Sequence, residues 1–487
     1  MSRRRHRGRP QASKELASAR RPQPTQARLL AVRVLDRVQR TRAYADLSLH
    51  HQLAHTNLSL PDRALTTELV YGTLRWRGRI DYLLDQFLDP PIAELEPAVA
   101  SSLRIGAYQL LFSDRIPDSA AVDEAVRCTR ALGVERATGL VNAVLRRLAR
   151  QHREMPLPAL EEQPLQHLMH ALSLPEWIAA RWLEDYGAET AAALATASNS
   201  PPPLTGRATP TNNDRDTLLN QVRERFPDAA PCRHARDGLR LGPKGDPGRD
   251  PGFLAGTFTV QDEAAQLVVG LLDPKPGDLV LDTCAAPGTK TTGIAERLAG
   301  LGGVLALDRH AGRLRLVARA TRRLELAGVH TLERDATRAL GDLPNDWMNT
   351  LEGLRESPSE RVLFDRALVD APCSGLGTFR RNPDARWRVA ATAPGELART
   401  QASLLKQAAS VLRPGGTLVY STCTLTHEEN EEVVQAFLRD TPSFRSTSRD
   451  ALPDEVAGVI GTDGFLRCLP HVHDADGFFA ARFTREG

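Results

Sequence analysis

The chain has 487 residues, more than one typical domain, so two to four folding units are expected. Its 41% hydrophobic and 25% charged content suits ordinary cores in a soluble protein, and a net charge of +3 does not by itself point to nucleic acid. No stretch approaches the roughly 20 apolar residues of a membrane span, and the basic start lacks the apolar core and cleavage site of a secretory signal. Cys128, Cys232, Cys284, Cys373, Cys423 and Cys468 are too sparse for a disulfide framework, and no C-x-x-C pair offers a zinc cage. The expectation is a reduced, cytoplasmic protein, monomeric, with neither bound metal nor membrane.

In chain order, residues 1–24 form a basic tail. Arg3, Arg4, Arg5, Arg7, Arg9, Lys14, Arg20 and Arg21 are opposed only by Glu15, a composition that predicts disorder. Residues 25–151 read as an all-α bundle of six or seven helices. Leu29, Val32, Val34, Leu35 and Val38 share one helical face, as do Leu65, Leu69, Val70 and Leu74, and later Val141, Val144, Leu145 and Leu148. Two basic clusters on this bundle, Arg75, Arg77 and Arg79, and Arg146, Arg147 and Arg150, suggest a phosphate-contacting surface.

Residues 152–257 read as a small α+β region, with a helix over 175–197 running into Pro201-Pro202-Pro203. From Phe258 to Gly487 short apolar runs alternate with helical stretches. Leu279–Leu281, Val304–Leu307, Val329–Leu332, Ala367–Val369 and Thr417–Tyr420 predict strands; Thr292–Ala299, Leu314–Leu326 and Leu397–Leu412 predict helices between several of them. That alternation is the signature of an α/β Rossmann-like domain, a mostly parallel sheet with helices on both faces. The polar interval 345–360 reads as a loop insertion.

In such a sheet ligands bind at the carboxyl ends of the strands. Strand Leu279–Leu281 runs directly into Cys284-Ala285-Ala286-Pro287-Gly288-Thr289-Lys290, where small residues let a ligand approach the backbone. The loop fits neither the dinucleotide pattern nor the phosphate-cradling one. Asp308 ends the second strand, where an acid typically takes a ribose diol, and Asp335 follows the third, where it could accept from an adenine amino group. Each acid alone is equally well read as a helix cap. Acids at successive strand ends favour an adenosine-bearing cofactor.

The fourth strand ends in Asp370-Ala371-Pro372-Cys373 and the fifth in Ser421-Thr422-Cys423, so both cysteines leave neighbouring strands at the cofactor edge. Thiols solve a specific problem. Carbon 5 of a pyrimidine is too weak a nucleophile to take a methyl group, but a thiolate adding to carbon 6 drives electron density onto it. Strand order alone does not say which thiol attacks.

Several motifs then converge on one family. Val260-Gln261-Asp262-Glu263, the Cys284–Lys290 loop, Asp370–Gly375, Thr422-Cys423, Arg380–Trp387 and Asp476-Gly477-Phe478-Phe479 together resemble the Sun/RsmB family of 16S rRNA cytosine-5 methyltransferases. The helical front, with Arg63-Ala64-Leu65, Tyr71-Gly72 and Val141–Arg146, is similar to the NusB-like RNA-binding domain of this branch. The resemblance implies a multidomain enzyme: a NusB-like bundle, an RNA-binding middle region and a methyltransferase domain using S-adenosyl-L-methionine (SAM), with 16S rRNA as partner. It implies Cys423 as the nucleophile on carbon 6, Cys373 as the group assisting product release, and Asp308, Asp335 and Asp370 lining the SAM site with Cys284–Lys290. The stretch Thr205-Gly206-Arg207-Ala208-Thr209 departs from the Arg–x–Asn pattern the family favours for middle-domain substrate contacts. The same chemistry on tRNA or another RNA, or an idle RNA-binding ribosome-assembly factor, are the rival readings.

Overall fold

The computed structural model describes residues 23–209, 214–242, 247–344, 348 and 362–487. The basic tail through residue 22, and the 345–360 insertion apart from Met348, lie outside them. The chain divides into two compact units, Met1–Ala179 with Asn382–Asp384, and Ala180–Arg381 with Ala385–Gly487.

The first unit is helical: α1 (Gln26–Thr41), α2 (Ala45–Ala54), α3 (Leu60–Arg75), α4 (Arg77–Asp85), α5 (Pro97–Phe112), α6 (Asp118–Ala131) and α7 (Thr138–Gln151). The three-and-four spacing works as expected on α7, where Val141, Val144, Leu145 and Leu148 are the buried face. Helix α5 is different, because it is buried along nearly its whole length from Ala98 to Leu110 and forms the centre of the bundle. One charge goes inside with it. Arg104 is 4% exposed and grips Asp81 of α4 through two hydrogen bonds of 2.7 and 2.9 Å, while Gln39 of α1 accepts a third at 2.9 Å. Ser59 caps α3 by accepting the Asp62 amide, and Pro61 suits a first turn whose N–H groups have no helical partner.

The bundle's two basic clusters have different fates. Arg75 is buried, Arg77 pairs with Asp81 at 3.4 Å, and Arg79 lies over the rings of Trp76 and Phe112. This first cluster is part of the bundle's own packing, contrary to the expectation of a phosphate surface. Arg146, Arg147 and Arg150 on α7 are exposed.

In the second unit α8 (Glu176–Ser198), interrupted at Gly187, leads into a small antiparallel sheet. Its strands are β1 (Thr205–Ala208), β2 (Ala230–Pro231), β3 (Gly238–Arg240) and β4 (Phe258–Val260), in the order β2-β3-β1-β4. Helix α9 (Arg215–Val222) covers it through Leu218, Leu219 and Val222. Strand β4, assigned from sequence to the head of the catalytic region, instead closes this smaller sheet by pairing with β1.

Helix α10 (Glu263–Leu272) opens the larger sheet, which comprises β5 (Leu279–Asp282), β6 (Gly303–Asp308), β7 (Val329–Glu333), β8 (Phe364–Asp370), β9 (Leu412–Thr422), β10 (Phe444–Ser446), β11 (Leu466–Cys468) and β12 (Phe478–Arg485). The order is β10-β12-β9-β8-β5-β6-β7, with β11 on β12. Strands β5 to β9 pair in parallel, and β12 runs antiparallel to β9. The intervening helices are α11 (Thr289–Leu298), α12 (Ala311–Arg323), α13 (Ala393–Ser410) and α14 (Glu431–Asp440).

Strand periodicity shows why the central strands read as unbroken apolar runs. Val280, Leu368 and Val419 join a core with α10 and α11. Their neighbours Leu279, Leu281, Val369 and Tyr420 join another with α13 and α14. Both faces are covered, so neither can be polar. The strand order reverses direction at β5, making the gap between β5 and β8 the place where loops diverge and a ligand can enter.

In the bundle, Asp81→Asn removes the counter-charge of a nearly buried guanidinium. It should destabilise the N-terminal unit by about 3 kcal/mol, the low end for breaking a buried pair, measured as a lower urea midpoint by circular dichroism.

Candidate active site

The loop after β5 is held by its neighbours on both sides. The Thr283 amide and hydroxyl both donate to the Leu368 carbonyl of β8, at 3.0 and 3.1 Å, and the Ala285 amide donates to the Leu307 carbonyl of β6 at 2.8 Å. Gly288 begins α11 at φ 109°, and a Cβ there would lie 3.0 Å from the Val317 backbone on α12. Glycine is needed twice over, for the dihedral and for the close approach. Beneath the loop Asp282 is buried, and Thr291 donates to one of its oxygens at 2.7 Å. Burial pushes this carboxyl up to about 7.

Thr283, Cys284, Ala286, Asp308, Asp335, Asp370, Cys373 and Cys423 all line one cavity of about 250 Å³. Ala285, Pro287, Gly288, Thr289 and Lys290 do not line it. Ala285 packs on Leu314 and Val317, and Lys290 turns toward Asp370 at 2.7 Å and over the Phe478 ring. Burial would depress the Lys290 ammonium, but the adjacent Asp370 charge and hydrogen bond hold it above its ordinary value. Asp370 is fixed at its other oxygen by the Ser421 hydroxyl at 2.9 Å.

The strand-end acids both form the wall and hydrogen-bond locally, Asp308 at a helix start and Asp335 within a turn. Asp308 accepts the His310 amide at 3.0 Å at the start of α12, and it is 4% exposed. Asp335 accepts the Thr337 hydroxyl at 2.7 Å and its amide at 3.0 Å, which lowers its pKa. These local bonds do not exclude ligand contact, since both side chains also face the cavity.

The two cysteines meet. Their sulfurs are 3.2 Å apart, and the Cys423 amide donates to the Cys373 sulfur at 3.3 Å. The hydrogen bond with Cys423, then burial, raises the Cys373 thiol well above its usual range. Cys284 shares the cavity wall but not the pair, and burial pushes its thiol up to about 12. Cys128, Cys232 and Cys468 are buried elsewhere in the cores, where a free cysteine packs as a small hydrophobe.

Below the cysteines the Gly377 amide donates to the Cys423 carbonyl at 3.0 Å, and the Gly477 amide to the Gly377 carbonyl at 2.8 Å. A Cβ on Gly377 would sit 2.1 Å from the Gly477 carbonyl oxygen, so only glycine permits this contact. Nearby, Arg381 bridges Asp262 and Asp476 at 2.6 and 2.7 Å. Three separated motifs, Val260–Glu263, Arg380–Trp387 and Asp476–Phe479, thereby converge on one guanidinium. Burial, and then the Asp262 charge, push Asp476 up to about 7 despite that cation.

Two groups had no structural role assigned from the sequence. Arg207 of β1 is buried and reaches away from the small sheet to Glu296 on α11, at 2.8 and 3.0 Å, and to the Thr289 carbonyl at 2.8 Å. It ties the small sheet to the helix following the cofactor loop. Glu429 is fully buried between the two cysteine loops. Its position in the polar run His427–Glu432 resembles an exposed helix start, so no local signal marked it. Among the described residues no group of three His, Cys, Asp or Glu side chains is placed to hold a metal ion, and no helix is long and apolar enough to cross a membrane.

Residues 269–484 match the 16S rRNA methyltransferase RsmB/F family, 25–150 the NusB family, and 174–246 the ferredoxin-like domain of RsmF/B-like methyltransferases. The chain is 35% identical over 467 residues to a Bacillus subtilis (strain 168) protein named "Probable ribosomal RNA small subunit methyltransferase B", covering 95% of this chain and 99% of that one. It is 37% identical over 458 residues to ribosomal RNA small subunit methyltransferase B of Pseudomonas putida, covering 94% and 98%. Among solved structures, that of PH0851 superposes with a TM-score of 0.75 at 22% identity, over 96% of this chain and all 100% of that one. A methyltransferase homolog from Pyrococcus horikoshii gives 0.53 at 27% identity, over 66% and 99%. With a NusB-family bundle, a ferredoxin-like domain and a methyltransferase sheet in one chain, the protein belongs to the RsmB/F family of methyltransferases.

Proposed function

We propose that the protein methylates carbon 5 of a cytosine in 16S (small-subunit) rRNA, using SAM and a transient covalent bond from Cys423 to carbon 6. The observation that carries this reading is the thiol pair, 3.2 Å apart, on the wall of the cavity shared by Asp308, Asp335 and Asp370. The RNA class follows from relatives 35% and 37% identical that bear small-subunit rRNA names. In this reading the NusB-like bundle, residues 25–151, and the small middle region from 152 engage RNA, while the larger sheet up to residue 487 carries the chemistry.

The cavity suits SAM. Asp308 would take the ribose diol, Asp335 the adenine amino group, and Cys284 and Ala286, the two loop residues on the cavity wall, the remainder. When bound, SAM supplies an electrophilic methyl group on a sulfonium. The protein must make carbon 5 able to accept it. The Cys423 sulfur adds to carbon 6 and pushes an electron pair onto carbon 5. After methylation a water molecule takes the hydrogen on carbon 5 as a proton, the freed pair restores the carbon 5–carbon 6 double bond, and the Cys423 sulfur departs as thiolate. Cys373 keeps its proton and hydrogen-bonds the departing sulfur. Asp370, fixed by Lys290 and Ser421, would be the acceptor that meets the base.

A duplex cytosine must be unstacked before its carbon 6 is exposed, at a few kcal/mol, so unfolded or early-assembly rRNA is the expected substrate. Bisulfite sequencing of total RNA with and without the gene tests the function. A lost 5-methylcytosine in small-subunit rRNA is expected; a loss confined to tRNA, or none, would overturn the reading.

Three further outcomes follow from the site. Cys423→Ala should abolish both methylation and the covalent RNA–protein species, whereas Cys373→Ala should methylate once and stall as an adduct visible on a denaturing gel. Reversed phenotypes would exchange the two roles. Asp308→Ala removes hydrogen bonds to a charged acceptor and should weaken binding of SAM by ~10- to 100-fold in calorimetry. At pH 8, iodoacetamide should label Cys373 and Cys284 only slowly. Their labelling should rise as pH climbs toward their raised pKa values, because the thiolate is the reactive form.

A further inference from the structure

Glu429 lies outside the cavity lining and takes no part in the chemistry above, yet it is 0% exposed. Burying a carboxylate in isolation is strongly unfavourable, so such a group is retained only where its surroundings satisfy it. Among the described residues it has no basic partner. Four donors serve it instead. The Ser374 amide and the Gln401 side-chain amide donate to one oxygen at 2.8 and 3.0 Å. The Ser374 hydroxyl and the Thr426 hydroxyl, the latter at 3.0 Å, donate to the other. Every contact presents a donor, an arrangement suited to the carboxylate form, which only accepts.

These donors come from both cysteine loops. Ser374 directly follows Cys373, and Thr426 lies just beyond Cys423. Gln401 of α13 also donates to the Pro372 carbonyl at 3.0 Å, and Ser374 and Thr424 share a hydroxyl contact of 2.6 Å. The Glu429 carbonyl accepts from the Tyr420 hydroxyl on β9. One side chain thus gathers the loop after β8, the loop after β9 and the flanking helix around a single charge.

We propose that Glu429 is the positioning residue that holds Cys373 and Cys423 at their mutual distance, so that Cys423 meets carbon 6 with its partner already in place. The inference rests on the covalent reading of the site. A displacement of about 1 Å from attack geometry lowers a rate by ~10²-fold, and without the shared anchor each loop is free to shift by that much.

The test uses the full chain, SAM and a small-subunit rRNA transcript carrying 5-fluorocytidine, in which fluorine cannot leave carbon 5 as a proton does, so the adduct is trapped. Glu429→Gln keeps the size of the side chain but turns one acceptor into a donor facing donors. The adduct should form ~10²-fold more slowly with KM for RNA and for SAM unchanged. Ser374→Ala removes one donor and no charge; about tenfold slower trapping is expected, with recovery in Ser374→Thr. This second pair decides the matter if Glu429→Gln does not fold. Wild-type trapping rates in Glu429→Gln, or in Ser374→Ala, would overturn the proposal, as would a loss explained wholly by raised KM. Absence of any adduct with the wild-type chain would instead overturn the covalent reading on which it stands.

Discussion

Parallel pairing of β8 with β9 governs where anything reactive can lie in this protein. Val369 faces Tyr420 and Asp370 faces Ser421 in register, so the two strands end level and their loops leave at one edge. Cys373 and Cys423 follow shortly beyond those last pairs, and the sulfurs meet at 3.2 Å. The same register lets the Ser421 hydroxyl reach Asp370, which in turn holds Lys290 from the loop after β5. A slip by one residue would exchange the faces of alternate side chains. Val419 and Leu368 would leave the core under α10 and α11, and Tyr420 would lose its bond to Glu429. Apolar packing on both faces of the sheet therefore fixes polar geometry at its end.

What could be read from the sequence follows from the same physics. Central parallel strands are buried on both sides, and Leu279–Leu281 and Ala367–Val369 announce themselves as short apolar runs. Side chains that act through their own loop, such as Cys373, Cys423 and Asp308, are then located by the strand that precedes them. Side chains that act across the structure leave no such trace. Arg207 reads as one polar residue in a short strand, but its guanidinium is consumed by Glu296 on a helix far along the chain. Arg75, Arg77 and Arg79 read as a basic patch, yet Arg75 is buried, Arg77 pairs with Asp81, and Arg79 stacks its head over aromatic rings, as long side chains can. Phe258–Val260 falls at the head of the region assigned from sequence to the catalytic domain; only pairing with β1 places it in the smaller sheet.

Proximity of two thiols also limits how they can share charge. Two thiolates 3.2 Å apart would repel by about 5 kcal/mol at an effective dielectric of 20. The pair therefore behaves as a unit holding at least one proton over the ordinary pH range, as closely spaced carboxylates do. The surroundings decide which sulfur keeps it. The Cys423 amide points at the Cys373 sulfur and favours charge there. Against it stand the hydrogen bond between the thiols, burial, and the negative charges of Cys423 and Glu429, each raising Cys373, and the amide is the weakest of these influences. On the proposed reading the proton rests on Cys373. Glu429 then has two effects from one position: it holds the loops together through neutral donors, and its charge adds to the larger effects of the thiol hydrogen bond and burial that raise Cys373. A lysine or arginine beside Glu429 would preserve the first effect while cancelling the second. That is a physical reason for a buried acid to be satisfied by hydroxyls and amides alone.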